Sequence, residues 1–272
     1  MAETLLEPAP IRVDAEVVEN RCDGGANHRL RLRVPGWPGF GPGQFVMLSP
    51  GALGAAPRSD PLLPRPMAVY RTQAGNEVEI LYKRSGRGTT LLADALPGQH
   101  VRVVGPLGRV FAEPPDGERA VLVAGGTGIA SVRELAARLA GRFPVTVLLG
   151  ARSALDLMGV DDFEALGVSL ELSTEDGSRG QRGLVTDLLL AALADGAPAR
   201  VYACGPTAMM RRCAELARAH GRRCDVSLEN HMACGFGVCL GCAAPLADGG
   251  YALVCREGPV FDSAALAWEG LP

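Results

Sequence analysis

The chain has 272 residues, with 35 glycines and 20 prolines making about a fifth of its length and 47% hydrophobic residues. That size exceeds one hydrophobic core, so two or three turn-rich domains are expected and disorder is excluded. The formal net charge is −3 and no basic stripe is apparent, which argues against a nucleic-acid binder; Lys83 is the only lysine, so arginine carries nearly all the positive charge. The first seven residues carry no basic n-region, and no stretch holds about 18 consecutive apolar residues, so the sequence predicts neither signal peptide nor membrane span and a cytoplasmic location. In that reducing compartment the eight cysteines point to metal or redox chemistry rather than disulfides.

Residues 11–112 read as short strands at Ile11–Glu19, Arg29–Val34, Gln44–Leu48, Met67–Arg71, Val78–Arg84 and His100–Gly105, with one helical stretch at Thr89–Ala95. Many short strands separated by Gly/Pro turns predict an antiparallel β-barrel. Within it, Arg65 directly precedes a strand that starts with Pro66, and Gly86-Arg87-Gly88-Thr89-Thr90 opens the helix. A glycine loop at a helix start with arginines nearby is a pyrophosphate cradle, or else a loop with surface arginines.

From residue 118 the pattern changes to strand, glycine turn, helix. Strands at Ala120–Ala124, Val145–Gly150, Val168–Ser173 and Arg200–Cys204 alternate with helices at Ser131–Leu139, Leu184–Leu193 and Thr207–Ala219. Such alternation predicts an α/β domain on a parallel sheet, with ligands at the carboxyl ends of its strands. Gly125-Gly126-Thr127-Gly128, Ser173-Thr174-Glu175-Asp176-Gly177 and Cys204-Gly205-Pro206 all fall at those ends. The run G-G-x-G matches the dinucleotide fingerprint imperfectly, and a plain βα turn explains it as well.

The last four cysteines, Cys234, Cys239, Cys242 and Cys255, have the spacing C-x4-C-x2-C-x12-C. The opening C-x4-C-x2-C is the plant-type [2Fe–2S] spacing, and its glycines allow the loop to bend around a cluster. Asp248-Gly249-Gly250 predicts a hairpin turn whose returning strand, Tyr251–Val254, delivers Cys255. A structural zinc site is the competing reading, although zinc sites usually present two C-x2-C-type pairs. About 45 residues cannot build an adequate core alone, so a bound metal group would staple this segment. Cys22, Cys213 and Cys224 read as ordinary small residues.

Together the three pieces resemble the electron transfer subunits of type B dihydroorotate dehydrogenases, within the ferredoxin–NADP reductase-like superfamily. The resemblance implies an FAD-binding β-barrel domain over 11–112, an NAD-binding α/β domain over 118–226 and a small [2Fe–2S] domain over 227–272. It implies that Arg65, Pro66, Met67, Ala68, Leu81, Tyr82, Lys83, Gly88 and Thr89 bind FAD. It places Gly125, Gly126, Thr127, Gly128, Asp176, Gly205 and Pro206 at NAD, Cys204 beside the nicotinamide as the candidate catalytic residue, and Cys234, Cys239, Cys242 and Cys255 on the cluster. It implies electron relay between a partner's FMN and NAD⁺ in pyrimidine biosynthesis, in a heterotetramer with two copies of a catalytic subunit. Glu175 and Asp176 would repel a 2′-phosphate and favour NAD; Arg152, Arg179 and Arg182 argue the other way. No catalytic histidine is expected, and His28, His100, His220 and His231 read as surface or structural residues. The chain departs from the family at Ala68, where many relatives carry a hydroxyl, and at Arg109-Val110-Phe111, where Asn-Gly-Phe is usual. Two other functions fit the same residues: a related reductase component serving another oxidoreductase, and a zinc-stabilised nucleotide-binding module.

Overall fold

The computed structural model describes residues 8–50, 62–74 and 76–272; the N-terminal heptad read above for targeting signals lies outside them. Seven strands form the first sheet: β1 (Ile11–Gly24), β2 (Asn27–Arg33), β3 (Phe45–Ser49), β4 (Arg65–Ala68), β5 (Arg71–Gln73), β6 (Glu77–Lys83) and β7 (His100–Leu107). They pair antiparallel in the order β4-β3-β7-β1-β2-β6-β5, and the sheet curls until β4 approaches β6. Alternate residues point inward, as a pleated strand requires. Ala15 and Val17, Leu30 and Leu32, Val46 and Leu48, Val78, Ile80 and Tyr82, and Val101 and Val103 share one buried core. Helix α1 (Arg87–Ala93) follows β6 and contributes Leu92 to that core.

The second sheet takes β8 (Arg119–Gly125), β9 (Val145–Ala151), β10 (Ser169–Thr174), β11 (Gln181–Arg182), β12 (Ala199–Cys204) and β13 (Arg223–Ser227). These run parallel in the order β11-β10-β9-β8-β12-β13. Helices α2 (Ile129–Leu139), α3 (Val160–Glu164), α4 (Val185–Leu193) and α5 (Thr207–Ala219) cover it. Both faces of each central strand are buried. Val121, Val123, Val201 and Ala203 face the layer of α4 and α5. Ala120, Leu122, Ala124, Tyr202 and Cys204 face the layer of α2 and α3. This double burial explains the unbroken apolar runs in the sequence.

The remaining strands are β14 (Ala243–Pro245) and β15 (Tyr251–Leu253), which form the predicted hairpin, and β16 (Val260–Asp262). β16 returns to the second sheet and pairs antiparallel with β13. The cysteine-bearing segment is thus stitched to the parallel sheet by backbone hydrogen bonds. Among the described residues no helix is long and apolar enough to cross a membrane.

The expected strand over 67–71 is two strands. The chain leaves β4 at Ala68, and the Val69 and Tyr70 N–H groups donate to the Gln44 and Glu79 carbonyls on its way to β5. The sequence pattern does not foresee the short elements α3, β11, β13 and β16, and α3 and β13 are five residues each. β13 also carries Asp225, buried against Arg200 at 2.7 Å, and a charge inside a short strand hides its pattern.

Candidate functional site

The cysteine loop is built on backbone that needs glycine. Gly235 and Gly237 have φ of +84° and +85°, a region that side chains disfavour. A Cβ on Gly235 would also stand 2.5 Å from Met47 Cγ, so the loop lies directly on barrel strand β3. Met232, Cys242 and Cys255 share one core with Phe45, Met47 and Leu107.

The four sulfurs fall into two pairs. Cys242 and Cys255 are buried, with Sγ atoms 3.2 Å apart, and the Cys255 N–H donates to Cys242 Sγ. Burial, followed by Cys242, pushes the Cys255 thiol up to about 12. Cys234 goes the other way. Burial opposes ionisation there, but the N–H groups of Cys239, Phe236 and Val238 and the Cys239 thiol all address its sulfur and bring it down to about 6. The Gly237 N–H addresses Cys255 in the same manner. A two-iron cluster takes four thiolates as its ligands. The donor set, four thiols in two pairs beneath converging N–H groups, fits the cluster. Phe236, Val238 and Leu240 of the loop stand exposed, as does Tyr251 on β15.

On the barrel, β4 is an edge strand that among the described residues pairs with β3 alone, with Pro66 opposite Met47 and Ala68 opposite Phe45. Arg65 lies against the start of α1, where a Cβ on Gly88 would meet Arg65 Nε at 2.7 Å. Thr89 Oγ1 accepts from the Ser85 and Gly86 N–H groups and closes the loop. Arg65 and the glycine loop therefore form one contiguous surface, a fit for the FAD pyrophosphate. The other expected flavin residues divide by strand parity. Ala68 and Leu81 face the parallel sheet's core, while Met67 and Tyr82 face the barrel interior. Tyr82 donates to Asn20 Oδ1 and stacks on His28 at 5.3 Å. Lys83 reaches across to Asp156 at 2.9 Å.

The crevice at the carboxyl ends of β8 and β12 is lined by glycines with different duties. A Cβ on Gly128 would sit 2.3 Å from the Cys204 carbonyl oxygen, and one on Gly205 would sit 3.0 Å from the Gly125 oxygen. A Cβ on Gly125 would stand 2.9 Å from Met209 Sδ. These three glycines permit close packing. Gly126 alone has a φ of +57° and open space where a side chain would stand, so it is the glycine whose backbone faces the crevice. The turn Gly126–Gly128 lies against β6, which sets the crevice beside the barrel. Pro206 leads into α5.

Cys204 is fully buried and donates to the Ser227 carbonyl at 3.4 Å. Burial first, then the charge of Glu229, pushes its thiol up to about 12, so it stays neutral. Thr127 donates to Glu229 at 3.4 Å. The Glu229 carboxylate is reached by solvent along the crevice, yet the surrounding protein strips hydration and raises its proton affinity. Sequence reasoning missed Glu229, whose only signal was its place just before the cysteine loop. Asp176 accepts from the Ser178 hydroxyl at 2.6 Å and N–H at 2.9 Å, and Ser178 Oγ accepts from the Ala154 N–H. The Ser178 bonds hold Asp176 below the usual carboxylate range at the rim of β9 and β10.

Comparison with known proteins accords with this arrangement. Residues 229–267 match the iron–sulfur cluster binding domain of dihydroorotate dehydrogenase B, and residues 122–215 match an oxidoreductase NAD-binding domain. A probable dihydroorotate dehydrogenase B (NAD(+)) electron transfer subunit from Methanopyrus kandleri is 41% identical over 92% of this chain and 89% of its own length. The chain belongs to the electron transfer subunits of dihydroorotate dehydrogenase B. Another member of that family, from Bacillus caldolyticus, is 38% identical over 81% of this chain and 84% of its own length. Among solved structures, an NADH-dependent reduced ferredoxin–NADP oxidoreductase, described in connection with flavin-based electron bifurcation, superposes with a TM-score of 0.82 at 28% identity. It covers 100% of this chain and 93% of the other. A ferredoxin NADP⁺ reductase from Neisseria gonorrhoeae with bound FAD and NADP shares the fold at a TM-score of 0.64 and 17% identity, over 77% of this chain and 92% of its own.

Proposed function

We propose that this chain is the electron transfer subunit of a dihydroorotate dehydrogenase B, working with a catalytic subunit that carries FMN in pyrimidine biosynthesis. The observation that carries the reading is the seating of paired cysteines on Met47, one strand away from the Arg65–Ala68 edge of the barrel. When bound, the cluster carries single electrons and FAD couples them to two-electron exchange with NAD⁺.

Cys234 and Cys239 would hold one iron, and Cys242 and Cys255 the other. The backbone N–H groups around Cys234 and Cys255 stabilise thiolate charge and tune the group they bind. Arg65, Gly88 and Thr89 hold the FAD pyrophosphate. Ala68, half-buried on the edge strand, would face the ring and offers it no hydroxyl, while Leu81 is packed into the core behind it. Gly126 and Thr127 receive the dinucleotide, Gly125, Gly128, Gly205 and Pro206 shape its floor, and Asp176 is positioned for a ribose hydroxyl. Cys204 is a neutral thiol under the nicotinamide end and takes no part as nucleophile or base. The exposed rim of Phe236, Val238, Leu240 and Tyr251 is the docking face for the catalytic subunit, in an assembly of two copies of each chain. Large apolar side chains exposed together mark such a face.

The test mixes this chain, loaded with flavin and iron, with a type B catalytic subunit. A stable complex and dihydroorotate-dependent NAD⁺ reduction are expected, and absence of both refutes the assignment. The full-length superposition on the NADH-dependent ferredoxin–NADP oxidoreductase favours one alternative, a reductase component for a different redox partner. NADH-driven reduction of a ferredoxin, without any complex with the catalytic subunit, would establish it.

A further inference from the structure

Where the barrel meets the parallel sheet, eight polar side chains gather around the buried Tyr70. Tyr70, fully buried between β4 and β5, donates its hydroxyl to Asp162 Oδ2 at 2.8 Å. Asp162 lies on α3, on the dinucleotide side of the molecule. The same carboxylate accepts from Arg29 at 2.9 Å and Arg71 at 2.8 Å, both on barrel strands. Arg29 and Arg71 also share Glu79, which is buried and takes a further hydrogen bond from Gln73. Arg29 reaches Asp23 as well. Arg133 of α2 also lies over the Tyr70 ring, with its guanidinium carbon 5.8 Å from the centroid. Gly159, just ahead of α3, has no Cβ to intrude: one would stand 2.4 Å from the Tyr70 oxygen.

Both partners from the second sheet belong to elements that frame the crevice. α2 starts at the Gly126–Gly128 turn, and α3 follows β9, whose end flanks Asp176. Tyr70 stands two residues beyond Ala68. The cluster therefore ties the end of the flavin-facing strand to both sides of the dinucleotide floor. Interfaces within a chain are usually loose enough to slide. A buried, multiply hydrogen-bonded ionic cluster instead fixes one register, because any shift leaves charges unpaired out of water.

We infer that Asp162 and Tyr70 are positioning residues for hydride exchange, holding the nicotinamide half at a fixed depth against the flavin strand. The inference rests on the flavin and NAD assignments above. It distinguishes the two electron steps. The cysteine loop contacts the barrel through Met47 and Leu107, away from this cluster, so cluster–flavin transfer does not depend on it.

The experiment uses the full chain loaded with FAD and iron–sulfur cluster. Tyr70→Phe and Asp162→Asn are compared with wild type by rapid-mixing reduction of the flavin with NADH over a range of concentrations. Tyr70→Phe keeps the ring and its arginine contacts and is the milder change. Displacement near 1 Å can cost about 100-fold in rate. The limiting reduction rate is therefore expected to fall roughly 10–100-fold in Asp162→Asn and less in Tyr70→Phe. FAD content, the NADH dissociation constant and the flavin-to-cluster rate should stay within about threefold of wild type, and the double variant should be no worse than Asp162→Asn, because both remove one coupled unit. Two results overturn the inference: unchanged limiting rates in both variants, or an equal fall in the flavin-to-cluster rate. A wild-type chain that takes up no FAD would overturn the functional assignment itself and this inference with it.

Discussion

Replacing Gly128 by alanine tests whether this glycine serves the cofactor or the packing. Its φ of −59° and ψ of −18° are ordinary helical values, so alanine meets no backbone strain. The added Cβ would stand 2.3 Å from the Cys204 oxygen, 2.4 Å from its carbonyl carbon and 2.7 Å from the Gly205 nitrogen. Normal contact requires a retreat of about 1 Å. Every clashing atom is backbone, and β12 is hydrogen-bonded on both sides, to β8 and β13, so no side chain can swing away. Overpacking costs ~1–3 kcal/mol and this rigid case belongs at the top of that range. At roughly 2–4 °C per kcal/mol, thermal unfolding of the flavin-loaded protein should shift down by about 5–10 °C. Gly126→Ala is the contrasting change. It meets no atom within 4 Å but holds a φ of +57°, so it should cost only about 1 kcal/mol of stability while raising the KM for NADH. A Gly128→Ala protein as stable as wild type, with impaired NADH affinity instead, would refute the division of roles between these glycines.

Changing any one of Cys234, Cys239, Cys242 or Cys255 to serine should abolish the iron–sulfur absorption bands and leave the flavin bands in place, whereas Cys213→Ser, on the buried face of α5, should retain both; colour retained in a ligand variant would count against the assignment. Ala68→Ser would restore a hydroxyl on the flavin-facing strand, and one hydrogen bond of ~0.5–1.5 kcal/mol should move the two-electron flavin potential by roughly 10–30 mV in a spectroelectrochemical titration. Val238→Asp on the exposed rim (Val238 is 73% exposed) should weaken binding of the catalytic subunit by about 30-fold without altering NADH-driven flavin reduction. Asp162 is held below the usual carboxylate range: burial opposes this, and the bonds from Tyr70 and Arg29 outweigh it. Because the folded pKa is depressed, its contribution is complete above the unfolded value of 3.8 and is lost as pH falls through the folded one. The stability gap between wild type and Asp162→Asn should therefore be constant near neutrality and narrow only below about pH 4 in denaturant titrations.

The sequence by itself determined the parts that depend on local pattern. Apolar runs with glycine turns disclosed the parallel sheet, because strands buried on both faces leave no polar alternation. Cysteine spacing disclosed the metal-binding loop, because a tight loop must bring its thiols together whatever surrounds it. Tertiary structure alone decided how those parts are used. Strand parity sent Met67 and Tyr82 into the barrel and left Ala68 and Leu81 outside, and parity depends on register with neighbouring strands. Gly125, Gly128 and Gly205 are packing glycines because β8, β12 and α2 approach one another closely there, while Gly126 faces open space; the motif string treats all four alike. Glu229 became a feature of the crevice only when the chain brought it opposite Thr127. The Asp162–Tyr70 cluster joins residues 92 apart in sequence, and β16 joins a sheet begun some 140 residues earlier. No local window carries such pairings, since their energy comes from burying charges and backbone groups against partners that only the completed fold supplies.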